Sequence, residues 1–149
     1  MNKIRELLPI TIKTGLVFTI LIYPIGFTHE LGHYLVGHYN GSQCNVNYFE
    51  LIVNCEPAPQ PSWFYFSLGG IFGMVASLAL LAIKKLRCKI WVSIGTITMA
   101  FDQLVKATYE TLIHPEYLNS SATFWYMGLL VGSFFLLLII TYPRVKNKT

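Results

Sequence analysis

Residues 7–39 read LLPITIKTGLVFTILIYPIGFTHELGHYLVGHY. Up to Phe27 the stretch carries one charge, Lys13, and it then places His29, Glu30 and His33 in close succession. An apolar run of this length expects lipid as its solvent. At about 1.5 Å per residue it would reach close to 50 Å as a straight helix, against a hydrocarbon core of about 30 Å. A break or strong tilt is therefore expected, with Pro24 as its site. The whole chain agrees with a lipid setting: 54% of its residues are hydrophobic and 12% charged, and its mean hydropathy is +0.51. A soluble domain of 149 residues needs a more charged surface than that.

Working outward, residues 63–83, 90–112 and 123–142 form three further runs of about the roughly 20 residues that a helix needs to span a bilayer. The expected fold is an all-α integral membrane protein with about four transmembrane helices, forming one domain over residues 1–149. Nothing in it reads as a repeat or a flexible linker. The basic N-terminus followed by an apolar run resembles a signal peptide. The run continues into His29 without a small-residue cleavage site, so the segment is expected to be retained.

Residues 40–61 contain Asn40-Gly41, three prolines and the β-prone Val46, Tyr48, Phe49, Leu51, Ile52 and Val53. They read as a turn, a short β-prone strand or hairpin and a proline-rich return, or as a plain connecting loop. Cys44 and Cys55 could pair across such a hairpin in an oxidising compartment, or remain thiols. The formal charge of +4 does not point to nucleic acid, because all the Lys and Arg except Lys106 lie at or near the ends of apolar runs, where such residues anchor helices and set orientation. Both termini and the 84–89 loop are basic, whereas 40–61 and 112–121 hold no Lys or Arg. That alternation predicts a multi-pass protein with cytoplasmic termini.

The chemistry is carried by His29-Glu30-Leu31-Gly32-His33. On a helix, positions i and i+4 share a face, so two imidazoles can ligate one zinc ion while Glu30 stands beside them to take a proton from water at the metal. Such a site needs a third protein ligand. Asp102 is expected to fill that place, since it lies well inside the 90–112 run among Ala100, Phe101, Leu104 and Val105, where a carboxylate requires a metal or a cation. A salt bridge to Lys106 is the alternative, and both can hold at once. Glu110 and His114 are weaker candidates, and His38 falls on the opposite side of the helix from His29. Glu50 and Glu56 read as solvated loop charges. The interfacial alternative for the motif itself is a helix cap meeting water and headgroups. Gly69, Gly73 and Ser77 recur at four-residue spacing and mark a close-packing face.

These features together resemble the site-2 protease family of intramembrane metalloproteases. The resemblance covers residues 26–112: the His-Glu-x-x-His helix, a Gly-containing turn with a β-prone segment, a Gly-rich helix at Gly69-Gly70, and an acid in a later helix. It implies Zn2+ bound by His29, His33 and Asp102, with Glu30 activating water. The family's usual Leu-Asp-Gly is here Phe101-Asp102-Gln103, its Asn-containing Gly-Pro motif is replaced by Gly69-Gly70, and no segment reads as an accessory domain. The implied activity is hydrolysis of peptide bonds in or near transmembrane segments of membrane protein substrates. Two other classes remain compatible with the residues: a catalytically inactive zinc-binding membrane regulator, and a small proton or metal carrier.

Overall fold

The computed structural model describes residues 2–113, 123 and 127–137, and these are mostly helical. Helix α1 (Asn2–Tyr39) leads into strands β1 (Gln43–Asn47) and β2 (Ile52–Glu56), then α2 (Ser62–Ala79), a 3-10 turn (Leu80–Ala82), the short basic helix α3 (Lys84–Arg87) and α4 (Ile90–Ile113). A further apolar helical stretch covers Met127–Leu137, inside the expected 123–142 span. Most of the rest of that span, and the loop with His114, lie outside the described residues.

The expected break at Pro24 is absent. Pro9 and Pro24 both lie inside α1, which runs uninterrupted for 38 residues. A proline removes a single N–H from the ladder, and α1 has α2, α4 and the hairpin packed against it. The helix stops instead where Gly41 takes a φ of +77°. There the Gly41 and Ser42 amides return to the carbonyls of His38 and Gly37, closing the C-terminus through a left-handed glycine.

Residues 40–61 form an antiparallel hairpin rather than a plain loop, with Cys44 opposite Cys55 and Val46 opposite Val53. Cys44 and Cys55 are disulfide-bonded. At the tip, the Asn47 side chain accepts the amides of Phe49 and Glu50, an Asx turn that reverses the chain. The hairpin folds back along α1. Both sulfurs sit over Gly37, where a Cβ would collide with them; further down, the Phe27 and Tyr48 rings stack at 6.2 Å; and at the tip the Tyr23 hydroxyl donates to the Tyr48 carbonyl at 2.8 Å. From Gly37 to Tyr23 is 37 − 23 = 14 residues, or about 21 Å of helix.

Helices α1, α2 and α4 pack mutually. Close approach is built on small residues: Gly32 of α1 lies against the Leu68 carbonyl and Gly69 of α2, with no room for a Cβ. Polarity is inverted relative to a water-soluble bundle. Thr14, Ser77, Thr96, Thr98, Asp102 and Gln103 are buried between the helices, while Leu8, Ile12, Leu16 and Ile20 on α1, and Ile71, Phe72, Val75 and Leu78 on α2, face outward. A continuous apolar exterior marks a surface made for lipid or another apolar partner.

Two described helices are long and apolar enough to cross a membrane, Leu7–Tyr39 and Ser62–Ala82, where four were expected. Helix α4 has the length, with 24 residues, but Asp102, Gln103, Lys106 and Glu110 interrupt its apolar run.

Candidate metal centre

Successive turns of α1 place His29 and His33 on one face, with their rings edge to face at 4.8 Å and their Nε2 atoms 3.1 Å apart. From α4, Glu110 brings Oε2 to 3.3 Å from the His29 Nε2 and 3.5 Å from the His33 Nε2. All three side chains are nearly sealed from solvent, at 6, 8 and 12% exposure.

The partners of the other ring nitrogens fix what the Nε2 atoms are. The His33 Nδ1 lies 2.9 Å from the Tyr65 carbonyl oxygen, which can only accept, so Nδ1 carries the proton. The His29 Nδ1 lies 2.9 Å from the Gln103 Oε1. The Gln103 Nε2 donates at 2.8 Å to the Asp102 Oδ2, and because an ionised carboxylate cannot donate, the amide is oriented with its oxygen toward His29. Each imidazole thus carries a proton on Nδ1, and in its neutral form it turns an Nε2 lone pair toward the cluster. With both rings neutral, two lone pairs 3.1 Å apart repel unless a cation, a proton or a metal ion, joins them. The Glu110 Oε2 is buried against the two imidazoles, so three atoms able to ligate converge on one point.

That donor set suits a metal ion. Ligands at about 2.0–2.1 Å around a tetrahedral zinc stand about 3.3–3.4 Å apart, and the three separations are 3.1, 3.3 and 3.5 Å. Imidazole nitrogen with carboxylate oxygen is a common zinc set, though one that other divalent metals accept.

Asp102 is not in this group, which corrects the sequence expectation. Among the described residues, the group placed to hold a metal ion is His29, His33 and Glu110. The Asp102 Oδ2 takes the Lys106 ammonium at 3.4 Å and the Gln103 amide, and Gln103 links it to His29. Eight residues separate Asp102 from Glu110 on α4, about 12 Å at helical rise.

Glu30 stands beside the cluster. Its Oε2 accepts the Val53 amide of β2 at 3.0 Å, and its Oε1 lies 4.0 Å from the His29 Nε2. The ion-binding face and Glu30 open together onto a cavity of about 910 Å³, walled also by residues 51–55, Tyr65 and Lys106. A second cavity of about 430 Å³ on the β1 side shares Glu30 and Val53 with it. His38 is exposed and stacks on Tyr34. Glu50 is exposed and accepts from the Asn47 side chain.

The glycine stripe of α2 does more than pack helices. A Cβ at Gly69 would run into the His33 ring, and one at Gly73 into the Gln103 side chain, so the stripe seats the His33 ring and the amide that meets His29. Sequence reasoning missed Gln103 and Tyr65 altogether. Gln103 carried a signal, as an uncharged polar side chain inside an apolar run beside an acid. Tyr65 carried none, because its contribution to His33 is a backbone carbonyl.

Comparison with protein-family models, with curated proteins and with solved structures returned no match.

Proposed function

We propose that this chain is a multi-pass membrane zinc metalloprotease of the site-2 protease type, hydrolysing peptide bonds in or near transmembrane segments of other membrane proteins. One observation carries the reading: three acceptor atoms from α1 and α4 converge within 3.5 Å, two of them held as ligating tautomers by acceptor groups. His29, His33 and Glu110 would hold the ion. Zinc bound there would polarise a carbonyl group and lower the pKa of water.

The remaining steps belong to the chain. Glu30, steadied through one oxygen by the Val53 amide, has its second oxygen free to take the proton of the attacking water and return it to the departing amine. A membrane helix hides its own carbonyls in its hydrogen-bond ladder, so the substrate must be extended locally before attack. The wall formed by residues 51–55 is where such a segment would lie. On β2 itself, the Val53 amide and carbonyl are already engaged by Glu30 and Tyr65, so pairing with a substrate edge must use the neighbouring residues. In this topology the termini and the basic 84–89 segment are cytoplasmic and the hairpin lies toward the opposite face. The Cys44–Cys55 bond agrees, since disulfides persist in oxidising compartments.

Metal analysis of the purified protein tests the centre. About one zinc per chain is expected in wild type, with loss in His33→Ala and in Glu110→Gln. Glu30→Gln should keep the zinc and stop cleavage. Zinc-loaded wild type that cleaves no membrane substrate would instead identify a non-catalytic metal-binding protein, and metal-free wild type would end the proposal.

A further inference from the structure

Attack on a peptide bond drives negative charge onto its carbonyl oxygen, and a fixed hydrogen-bond donor at that oxygen is worth a large factor in rate. Lys106 and Tyr65 are the two donors lining the cavity whose bonds tie them to the centre. The Lys106 ammonium is committed to Asp102 at 3.4 Å, and Asp102 in turn orients Gln103 and through it His29. Pulling Lys106 toward a substrate would unsettle that chain of contacts.

Tyr65 is placed differently. It is 8% exposed, its ring packs on His33 at 4.8 Å and on Phe66 at 5.2 Å, and its carbonyl holds the His33 Nδ1. Its position is therefore locked to a metal ligand. The hydroxyl donates to the Val53 carbonyl at 3.4 Å, far beyond the usual 2.7–2.8 Å for such bonds, whereas the other side-chain hydrogen bonds named around the centre run from 2.8 to 3.1 Å. A weak bond to a strand carbonyl is easily exchanged for a better acceptor. Val53 is also the residue whose amide holds Glu30, so the hydroxyl and the base flank the same stretch of cavity wall.

We propose that Tyr65 is a catalytic residue, its hydroxyl leaving the Val53 carbonyl to donate a hydrogen bond to the substrate carbonyl oxygen as charge builds there. No proton is transferred: as the water oxygen bonds to the carbonyl carbon, the C=O π pair moves to oxygen, and the phenol remains neutral. This inference rests on the hydrolase reading above.

The test uses the full-length protein loaded with zinc, quenched-fluorescence peptides with apolar residues on both sides of the cleaved bond, and the phosphinic analogue of the best-cleaved peptide. Tyr65→Phe keeps the ring and the backbone carbonyl and removes the hydroxyl alone. It should lower kcat about 100-fold and weaken the phosphinic analogue by a similar factor, leaving KM and zinc content unchanged. Unchanged kcat would overturn the proposal. So would a fall in kcat accompanied by faster amide exchange in residues 43–56, which would assign the hydroxyl to holding β2. A loss of analogue binding in Lys106→Met with Tyr65→Phe neutral would transfer the role to the lysine. Failure of zinc-loaded wild type both to cleave every peptide and to bind the analogue would remove the hydrolase reading itself, an outcome distinct from a wild type that cleaves beside an unaffected Tyr65→Phe.

Discussion

Lys106 stands four residues from Asp102 and four from Glu110, one helical turn from each. A single ammonium between two acids leaves the sequence undecided about which acid it neutralises, and the apolar neighbours of Asp102 favour it for the metal. The structure gives the lysine to Asp102 and turns the buried Glu110 Oε2 to the two imidazoles. Asp102→Asn and Glu110→Gln should therefore behave differently. Asparagine can still accept from the Gln103 amide, so the first variant should retain zinc, and the second should lose it; zinc content of the two purified proteins decides. Gln103→Leu leaves all three ligands in place but removes the acceptor that fixes the His29 tautomer. Chelator competition should show zinc affinity lowered about 10- to 100-fold, and wild-type affinity would mean that the tautomer is fixed by something else. The His-Glu-x-x-His spacing was legible because it is local to one helix. The place of Glu110 beside the two histidines was not, because it depends on how α1 and α4 cross.

At the scale of elements, the sequence announced the α2 glycine stripe as a packing face, which the burial of Gly69, Gly73 and Ser77 bears out. Which atoms fill the grooves could not be read from α2 alone, since they belong to α1 and α4. Gly69→Ala would push a methyl into the His33 ring while raising helix propensity. Its expected effect is loss of zinc with the helices still formed, checked by metal analysis beside circular dichroism. The hairpin was legible from its β-prone residues and turn signals, but its docking was not. Two strands alone are marginally stable, and this pair is tied by a disulfide across a separation of 11 residues, a closure worth about 2–3 kcal/mol. Because β2 touches Glu30 through the Val53 amide and supplies no metal ligand, Cys44→Ala/Cys55→Ala should lower turnover and leave zinc content intact. Loss of zinc in that variant would show that the hairpin supports the ligands as well.

For the whole molecule, the inversion of polarity matters most. Buried Asp102, Gln103, His29 and His33 lie between helices whose outer faces are Leu, Ile, Val and Phe, an arrangement that water would oppose and lipid favours. Hydropathy alone made this visible along α1 and α2, and obscured it on α4, whose polar residues turn inward to the site. The native cysteines provide a topology test without engineered probes. Cys44 and Cys55 precede α2 and are joined; Cys88 follows it, free and exposed, beside the basic helix α3. If the Ser62–Ala82 segment crosses the bilayer, the two sets of sulfur must open to opposite sides. A membrane-impermeant maleimide should then label Cys88 in vesicles with the cytoplasmic face outward and spare it in vesicles of the other orientation. Cys44 and Cys55 should label only after reduction, and only from the side that Cys88 does not face. Labelling of all three from one side would mean that α2 does not cross, and the site could not then lie below the headgroups between α1 and α4.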